Sequence, residues 1–284
     1  MLDDTISTRS LTECGVCSHG ELETLIELPQ FPLTGIYVTK KVPDMPNSHD
    51  QKLRFCPACG HAQLEHALDP AFLYGDHYAH RSSASHLTPA AVDFIADYLE
   101  VLRPGQRFKL AVEIGCNEMV LLDRVLERSE RAIGIDPLWR DTIPDEKPGC
   151  EVIGKFLEEV DLSSELGGRP DLIISTHNLE HIVDAGQQLA RLMEIASDDA
   201  LFLMEVPDFD RMVENLRFDQ VFHQHVHYFG LTSFLGAIER AGGHYLTHVY
   251  NHRNWGGTVV VAFTKSANSA PKPARQPRTV TGIK

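Results

Sequence analysis

The sequence predicts an α/β fold: a mostly parallel sheet with helices on both faces and an antiparallel finish, preceded by a small cysteine-bearing module. Strand-like apolar runs alternate with helix-spaced segments from Leu110 onward, and alternation of this kind builds a parallel sheet. The last two β-rich runs, His244 to Tyr250 and Gly257 to Thr264, have no helix between them. They are expected to form an antiparallel, hairpin-like edge. Two C-x-x-C pairs near the N-terminus set a separate module apart. The expected divisions are a metal-binding domain over 1–68, a connector with a covering helix over 69–105, the α/β domain over 106–265, and a disordered basic tail over 266–284.

In the module, Cys14-Gly15-Val16-Cys17 and Cys56-Pro57-Ala58-Cys59-Gly60 each resemble a zinc knuckle. Two thiolates from one tight turn occupy adjacent corners of a tetrahedron, and Pro57 and Gly60 are the turn formers such a loop uses. Cys14, Cys17, Cys56 and Cys59 together make a closed structural zinc site, with no position left open for chemistry. The long gap between the pairs calls for strands of its own, and Glu27 to Leu33 reads as an extended, proline-punctuated segment.

The connector from Tyr74 to His86 is dense in hydroxyls, aromatics and imidazoles. It suits a ligand, and its composition equally fits a solvated linker. Thr88-Pro89 then starts a helix whose apolar positions, from Ala91 to Leu102, recur at helical spacing until Pro104-Gly105 stops it.

The stretch Leu110-Ala111-Val112-Glu113-Ile114-Gly115-Cys116-Asn117 reads as a buried strand opening into a ligand loop, with Val120 starting the next helix. The neighbouring strand, Ala132 to Ile135, closes on Asp136. A glycine turn beside a helix start, with a carboxylate ending the next strand, suits an adenosine ligand whose ribose hydroxyls the carboxylate accepts. No G-x-G-x-x-G run is present, which argues against a dinucleotide. Further on, Asp171 to Ser175 and Ala200 to Val206 are strands, and Ala185 to Ala196 and Ser233 to Ala241 are helices.

Composition narrows the partners. The 284 residues carry a formal charge of −14, which disfavours nucleic acid. No apolar run approaches the roughly 20 residues that span a bilayer, so a soluble, cytoplasmic protein is expected. Six cysteines, four of them in the two pairs, point to metal in a reducing compartment.

Two histidine clusters remain. His177-Asn178-Leu179-Glu180-His181 matches H-x-x-E-H, a metalloprotease pattern that needs both imidazoles on one helical face. Here it follows directly on a strand and falls on a loop. Phe222-His223-Gln224-His225-Val226-His227 sits where a loop covers the site after the fifth strand, and imidazoles there suit proton abstraction.

In these motifs the chain resembles the sugar C-methyltransferases that carry an N-terminal zinc-binding domain, enzymes that methylate C3 of a nucleotide-linked keto-deoxysugar. The likeness runs from about residue 14 to 263 and rests on several stretches. These are the cysteine pairs, the Tyr74…Tyr78…Ser82-Ser83-Ala84-Ser85 connector, Glu113 to Asn117, Asn178 to Ile182, Phe218 to Phe229, and Gly256-Gly257-Thr258. The resemblance implies a class I methyltransferase fold, S-adenosylmethionine as donor, structural zinc, and a small-molecule nucleotide-sugar as substrate. Glu113, Gly115, Asn117, Asp136 and Asn178 would hold the donor, with Tyr74 and Tyr78 packed on it. His225 would be the base, with His181 beside it, and Phe222, His223 and Gln224 would touch the substrate. The chain departs from that family at Phe222 and Gln224, where the family has tyrosine and glutamate, and at Asn117-Glu118-Met119. The family's further C-terminal domain has no counterpart in these residues. O- or N-methylation, or a silent binding subunit of the same fold, are the rival expectations.

Overall fold

The computed structural model describes residues 6–35, 46–75, 78, 81–142, 145, 147–253 and 256–267. Almost all of the expected basic tail lies outside them.

The N-terminal part holds β1 (Thr8–Ser10), β2 (Glu23–Pro32), β3 (Ser48–Phe55), β4 (Ala62–Leu64) and β5 (His66–Leu68). It is followed by the single turn α1 (Pro70–Leu73) and the helix α2 (Thr88–Leu102). The α/β part runs β6 (Phe108–Ile114), α3 (Val120–Leu126), β7 (Ser129–Ile135), β8 (Cys150–Ile153), α4 (Leu162–Glu165), β9 (Leu172–Thr176), α5 (Ala185–Ile195) and β10 (Leu201–Pro207). It ends with α6 (Phe209–Glu214), β11 (His227–Tyr228), α7 (Leu231–Arg240), β12 (His244–Asn251) and β13 (Thr258–Thr264).

Seven strands form one sheet in the order β12-β13-β10-β9-β6-β7-β8. Strands β6 to β10 pair in parallel, and β13 is antiparallel to both β10 and β12. The final strand therefore lies inside the sheet, and β12 is the edge. Its sequence explains the placement: Val259 to Phe263 are wholly buried, as a strand covered on both faces and paired on both sides requires. β12, exposed at His244 and Tyr245 and half-buried from Leu246 to Tyr250, takes the outer position.

Each face of the sheet has its own core. On one, Ile95, Tyr98 and Leu99 of α2 pack with Leu121, Leu122 and Val125 of α3 over Phe108, Ala111 and Ile174. On the other, α5 and α7 cover Val112, Ile173, Phe202 and Val261. Helix α5 buries Ala185, Gln188, Leu189, Leu192 and Met193, the spacing of a single apolar stripe.

The module is built into that second core, which includes Cys14, Val16 and Cys56. Its sheet, ordered β11-β4-β3-β2, borrows its edge strand from far along the chain. His227 pairs with Gln63 and Tyr228 with Ala62. Arg9 adds a two-pronged ion pair to Asp184, at 2.6 and 2.8 Å.

Candidate active site

The two cysteine turns are built alike. Ser18 N–H donates to the Cys14 carbonyl at 2.8 Å and Gly60 N–H to the Cys56 carbonyl at 2.9 Å. Ser18 and Gly60 both hold positive φ, 57° and 75°. The turns bring Cys14 Sγ to 3.5 Å from Cys59 Sγ, and Cys17 Sγ to 3.5 Å from Cys56 Sγ. All four sulfurs lie within 4.8 Å of one another. Thiolates about 2.3 Å from a tetrahedral zinc sit at such separations, so the donor set fits a closed zinc centre.

A cleft of about 1560 Å³ opens at the carboxyl ends of β6, β7, β9 and β10, with Tyr74, Asp136, Asn178, His181, Phe222 and Gln224 among its walls. In a parallel sheet this is the end where ligands bind, because strand ends and helix starts both face it. One half is made by the loop after β6. Gly115 holds φ 76°, and a Cβ there would lie 2.6 Å from Asn178 Nδ2. The loop continues through positive φ at Asn117 and Met119, 43° and 65°. Asp136 fastens it by accepting from Asn117 N–H at 2.8 Å and Leu138 N–H at 2.9 Å. The connector closes over the same loop: Ser82 N–H donates to Asn117 Oδ1 at 2.9 Å and Ser83 N–H to Glu118 Oε2 at 2.8 Å.

Glu113 is 3% exposed, and its Oε2 accepts no hydrogen bond among the described residues. Burial, with Asp136 and Asp123 nearby, pushes its carboxyl up to about 8. The Asn178 Oδ1 is likewise buried without a donor. Two orphaned acceptors, a glycine cradle and the Asp136 carboxylate fit the ammonium, adenosyl and ribose groups of S-adenosylmethionine.

The other half is made by Asn178 to Ile182 after β9 and by the loop preceding β11. The imidazoles of His181 and His225 have ring centroids 4.9 Å apart, and Phe222 lies 4.0 Å from His225. His181 Nδ1 donates to the Gln224 carbonyl at 2.8 Å. Burial first, and the neighbouring His181 second, push His225 down to about 3, which favours the neutral imidazole. Tyr74 packs edge-on to His181 at 6.0 Å and to Tyr78 at 5.1 Å. Its buried hydroxyl makes no hydrogen bond among the described residues.

The second histidine cluster divides. Gln224 lines the cleft and donates through Nε2 to the Thr34 carbonyl at 2.5 Å. His223 is fully buried outside the lining, donating through Nε2 to the Phe31 carbonyl at 3.0 Å. His227 turns away, between His61 Nε2 and the Val183 carbonyl, both at 3.0 Å. Most of the stretch is the loop expected after the fifth strand, and only His227 and Tyr228 are strand.

His181 closes a one-turn 3-10 segment, Leu179–His181, and His177 lies before it, so the two do not share one face of an α-helix. Two residues of this half escaped the sequence reading. Glu180 is 1% exposed and lies 3.6 Å from His177 Nδ1 and 3.9 Å from His181 Nε2. Burial opposes its ionisation, but His177 and the other imidazoles outweigh that and hold it at about 2. Glu205, 2% exposed, lies 3.8 Å from His177 Nε2 and accepts from the Thr258 hydroxyl. Its place at the carboxyl end of β10 was the available signal.

Two sequence families match the chain. Residues 14–74 match a sequence family described as "Putative zinc binding domain", and residues 84–248 one described as a methyltransferase domain. C-methyltransferase NovU of Streptomyces niveus is 27% identical over 277 residues, 94% of this chain. The chain spans 64% of that relative's length. Among solved structures, an O-methyltransferase family protein from Burkholderia thailandensis has a TM-score of 0.49 at 19% identity, over 63% of this chain and 56% of the other. The N-methyltransferase NodS from Bradyrhizobium japonicum, in complex with S-adenosylhomocysteine, has a TM-score of 0.48 at 10% identity, over 64% and 88%. With S-adenosylmethionine and zinc as its cofactors, the chain belongs to the methyltransferase-domain family.

Proposed function

We propose that the chain methylates a carbon next to the ketone of a nucleotide-linked sugar, through an enolate. The observation that carries this reading is the pair of imidazoles, His181 and His225, set across the cleft from the donor loop with His225 held neutral. When bound, S-adenosylmethionine supplies an electrophilic methyl on a sulfonium. Glu113, Asn178 and the Gly115 loop hold its methionine end, and Asp136 its ribose. The imidazole pair takes the proton next to the ketone, leaving an electron pair on carbon that forms the new C–CH3 bond as the S–CH3 bond breaks. Tyr74, with an unpartnered buried hydroxyl, can donate to the developing oxyanion. Most of the acceleration comes from positioning, with one general base. The C-methyltransferase relative supports carbon as the acceptor.

Phe222 and Gln224 favour a second reading. Neither can exchange a proton, so transfer to a hydroxyl or amine of a sugar needs less from the loop than enolisation does. Purified protein incubated with S-adenosylmethionine and a nucleoside-diphosphate keto-deoxysugar tests both. Carbon methylation gives a C-methyl signal by NMR and loss of deuterium from the labelled carbon. An O- or N-methyl signal selects the second reading, and failure to bind S-adenosylhomocysteine in calorimetry removes both.

A further inference from the structure

We propose that the proton taken from the substrate comes to rest on Nε2 of His181, and that His177 and Glu205 are positioning residues holding Glu180 against it. This rests on the carbon-methylation reading above. His181 Nδ1 lies 2.8 Å from the Gln224 carbonyl. A carbonyl only accepts, so Nδ1 carries the hydrogen and the neutral ring's lone pair sits on Nε2. That atom is 3.9 Å from Glu180 Oε1. A lone pair facing a carboxylate is a poor pairing until it takes a proton, and a good one afterwards.

Glu180 is suited to wait for that proton. It is 1% exposed, and neither of its oxygens accepts a hydrogen bond among the described residues. A buried carboxylate in that state needs a compensating charge. His177 provides it, 3.6 Å from Glu180 through Nδ1 and 3.8 Å from Glu205 through Nε2. It does so from a left-handed backbone, φ 51°, a conformation a non-glycine residue keeps only where its surroundings impose it. The order Glu205, His177, Glu180, His181 alternates acid and imidazole from the end of β10 to the cleft. With His177 protonated the three buried groups are net anionic, and an imidazolium at His181 neutralises them.

His225 also brings a ring nitrogen within 4.8 Å of Glu180, so the two imidazoles are told apart by their access to water. Tyr74 presents its ring edge at 6.0 Å. His225 stands 4.9 Å away but is only 4% exposed, so a charge formed on it is cut off from water. The side chain of His181 is 21% exposed, and its proton can leave to solvent after the transfer. The step balances: the C–H pair stays on the substrate carbon, the methyl joins it, the S–CH3 pair goes to sulfur, and the positive charge lost by the sulfonium reappears on His181. Lysine-like permanence is not required of His177; it needs only to stay protonated while Glu180 and Glu205 are both ionised.

The test is NMR of the zinc-loaded full chain labelled with 15N at histidine, with S-adenosylhomocysteine bound. His177 is expected to keep both ring protons above the ordinary imidazole range, since Glu205 and Glu180 outweigh its burial and favour the cation. Glu180→Gln should remove the partner that favours the proton on His181 Nε2 and so lower its midpoint, and Glu205→Gln should lower that of His177. Calorimetric binding of S-adenosylhomocysteine should be unchanged in both, which separates this chain of charges from the donor half. With a nucleoside-diphosphate keto-deoxysugar, the acid limb of kcat/KM should follow the NMR midpoint of His181, and Glu180→Gln should lower kcat on the order of 100-fold. A His181 midpoint indifferent to Glu180→Gln overturns the proposal, as does a neutral His177 at pH 7. So does a second equivalent of zinc taken up by the parent chain and lost in Glu180→Gln, because the imidazoles would then be ligands. Absence of turnover in the parent chain, with all the NMR shifts as expected, overturns instead the carbon-methylation reading on which the catalytic role depends.

Discussion

Gly115 and Asn178 meet so closely that no side chain fits on the glycine: a Cβ there would lie 2.6 Å from Asn178 Nδ2 and 2.8 Å from its Cγ. The contact ties the loop after β6 to the loop after β9, so the two halves of the cleft share one joint. Gly115→Ala would have to part them and also hold φ 76°, at a cost of about 1–3 kcal/mol. The expected outcome is a loss of S-adenosylhomocysteine affinity of roughly 10-fold or more, measured by calorimetry, with zinc content unchanged.

Glu113 gives a pH dependence of definite sign. Its carboxyl, pushed from 4.5 up to about 8, keeps a proton in the folded chain that the unfolded chain has released. Folding stability from this group is therefore lost as pH rises through that window. Glu113→Gln should flatten the dependence in denaturant titrations between pH 5 and 8. Donor binding should release a proton near pH 7, because the cationic ammonium of the ligand favours the carboxylate. Calorimetry in buffers of different ionisation enthalpy reads that proton directly.

The zinc centre should be a folding determinant of both parts. Cys14, Val16 and Cys56 belong to the core under α5 and α7, and β11 pairs with β4 of the module. Cys56→Ser is expected to lose the metal and to destabilise the whole chain by several kcal/mol. The check is metal analysis together with a single unfolding transition at lower temperature. Two separate transitions, with only the first one moved, would contradict this coupling.

Gln224 is fixed by its amide. Its Nε2 donates to the Thr34 carbonyl at 2.5 Å, and Gly35 leaves it room, since a Cβ there would lie 2.6 Å from Nε2. Gln224→Glu would set a carboxylate oxygen against that carbonyl, costing about 1–3 kcal/mol. A fall in the denaturation midpoint, with S-adenosylhomocysteine affinity intact, is the expected result.

The alternation of runs was enough to read the parallel sheet, because strands buried on both faces are continuous apolar stretches such as Leu172-Ile173-Ile174. The cysteine pairs were equally legible, since a zinc knuckle is a local turn. The meeting of Glu113, Gly115 and Asp136 at the cleft could be read because each sits at a strand end or in the turn following it. The histidines of the 222–228 stretch could not be assigned in this way. His223 and Gln224 take their orientation from the carbonyls of Phe31 and Thr34, 192 and 190 residues earlier in the chain.

The sequence by itself determined what depends on neighbours along the chain: helices, strands, the metal-binding turns and the glycine loop. Only the tertiary structure decided which imidazole faces the cleft and which carboxylate faces an imidazole. A hydrogen-bond partner or a burial cost is set by whatever the fold brings alongside, and Glu205 meets His177 only after β9 and β10 pair. For the same reason the module became part of the core when β11 closed its sheet.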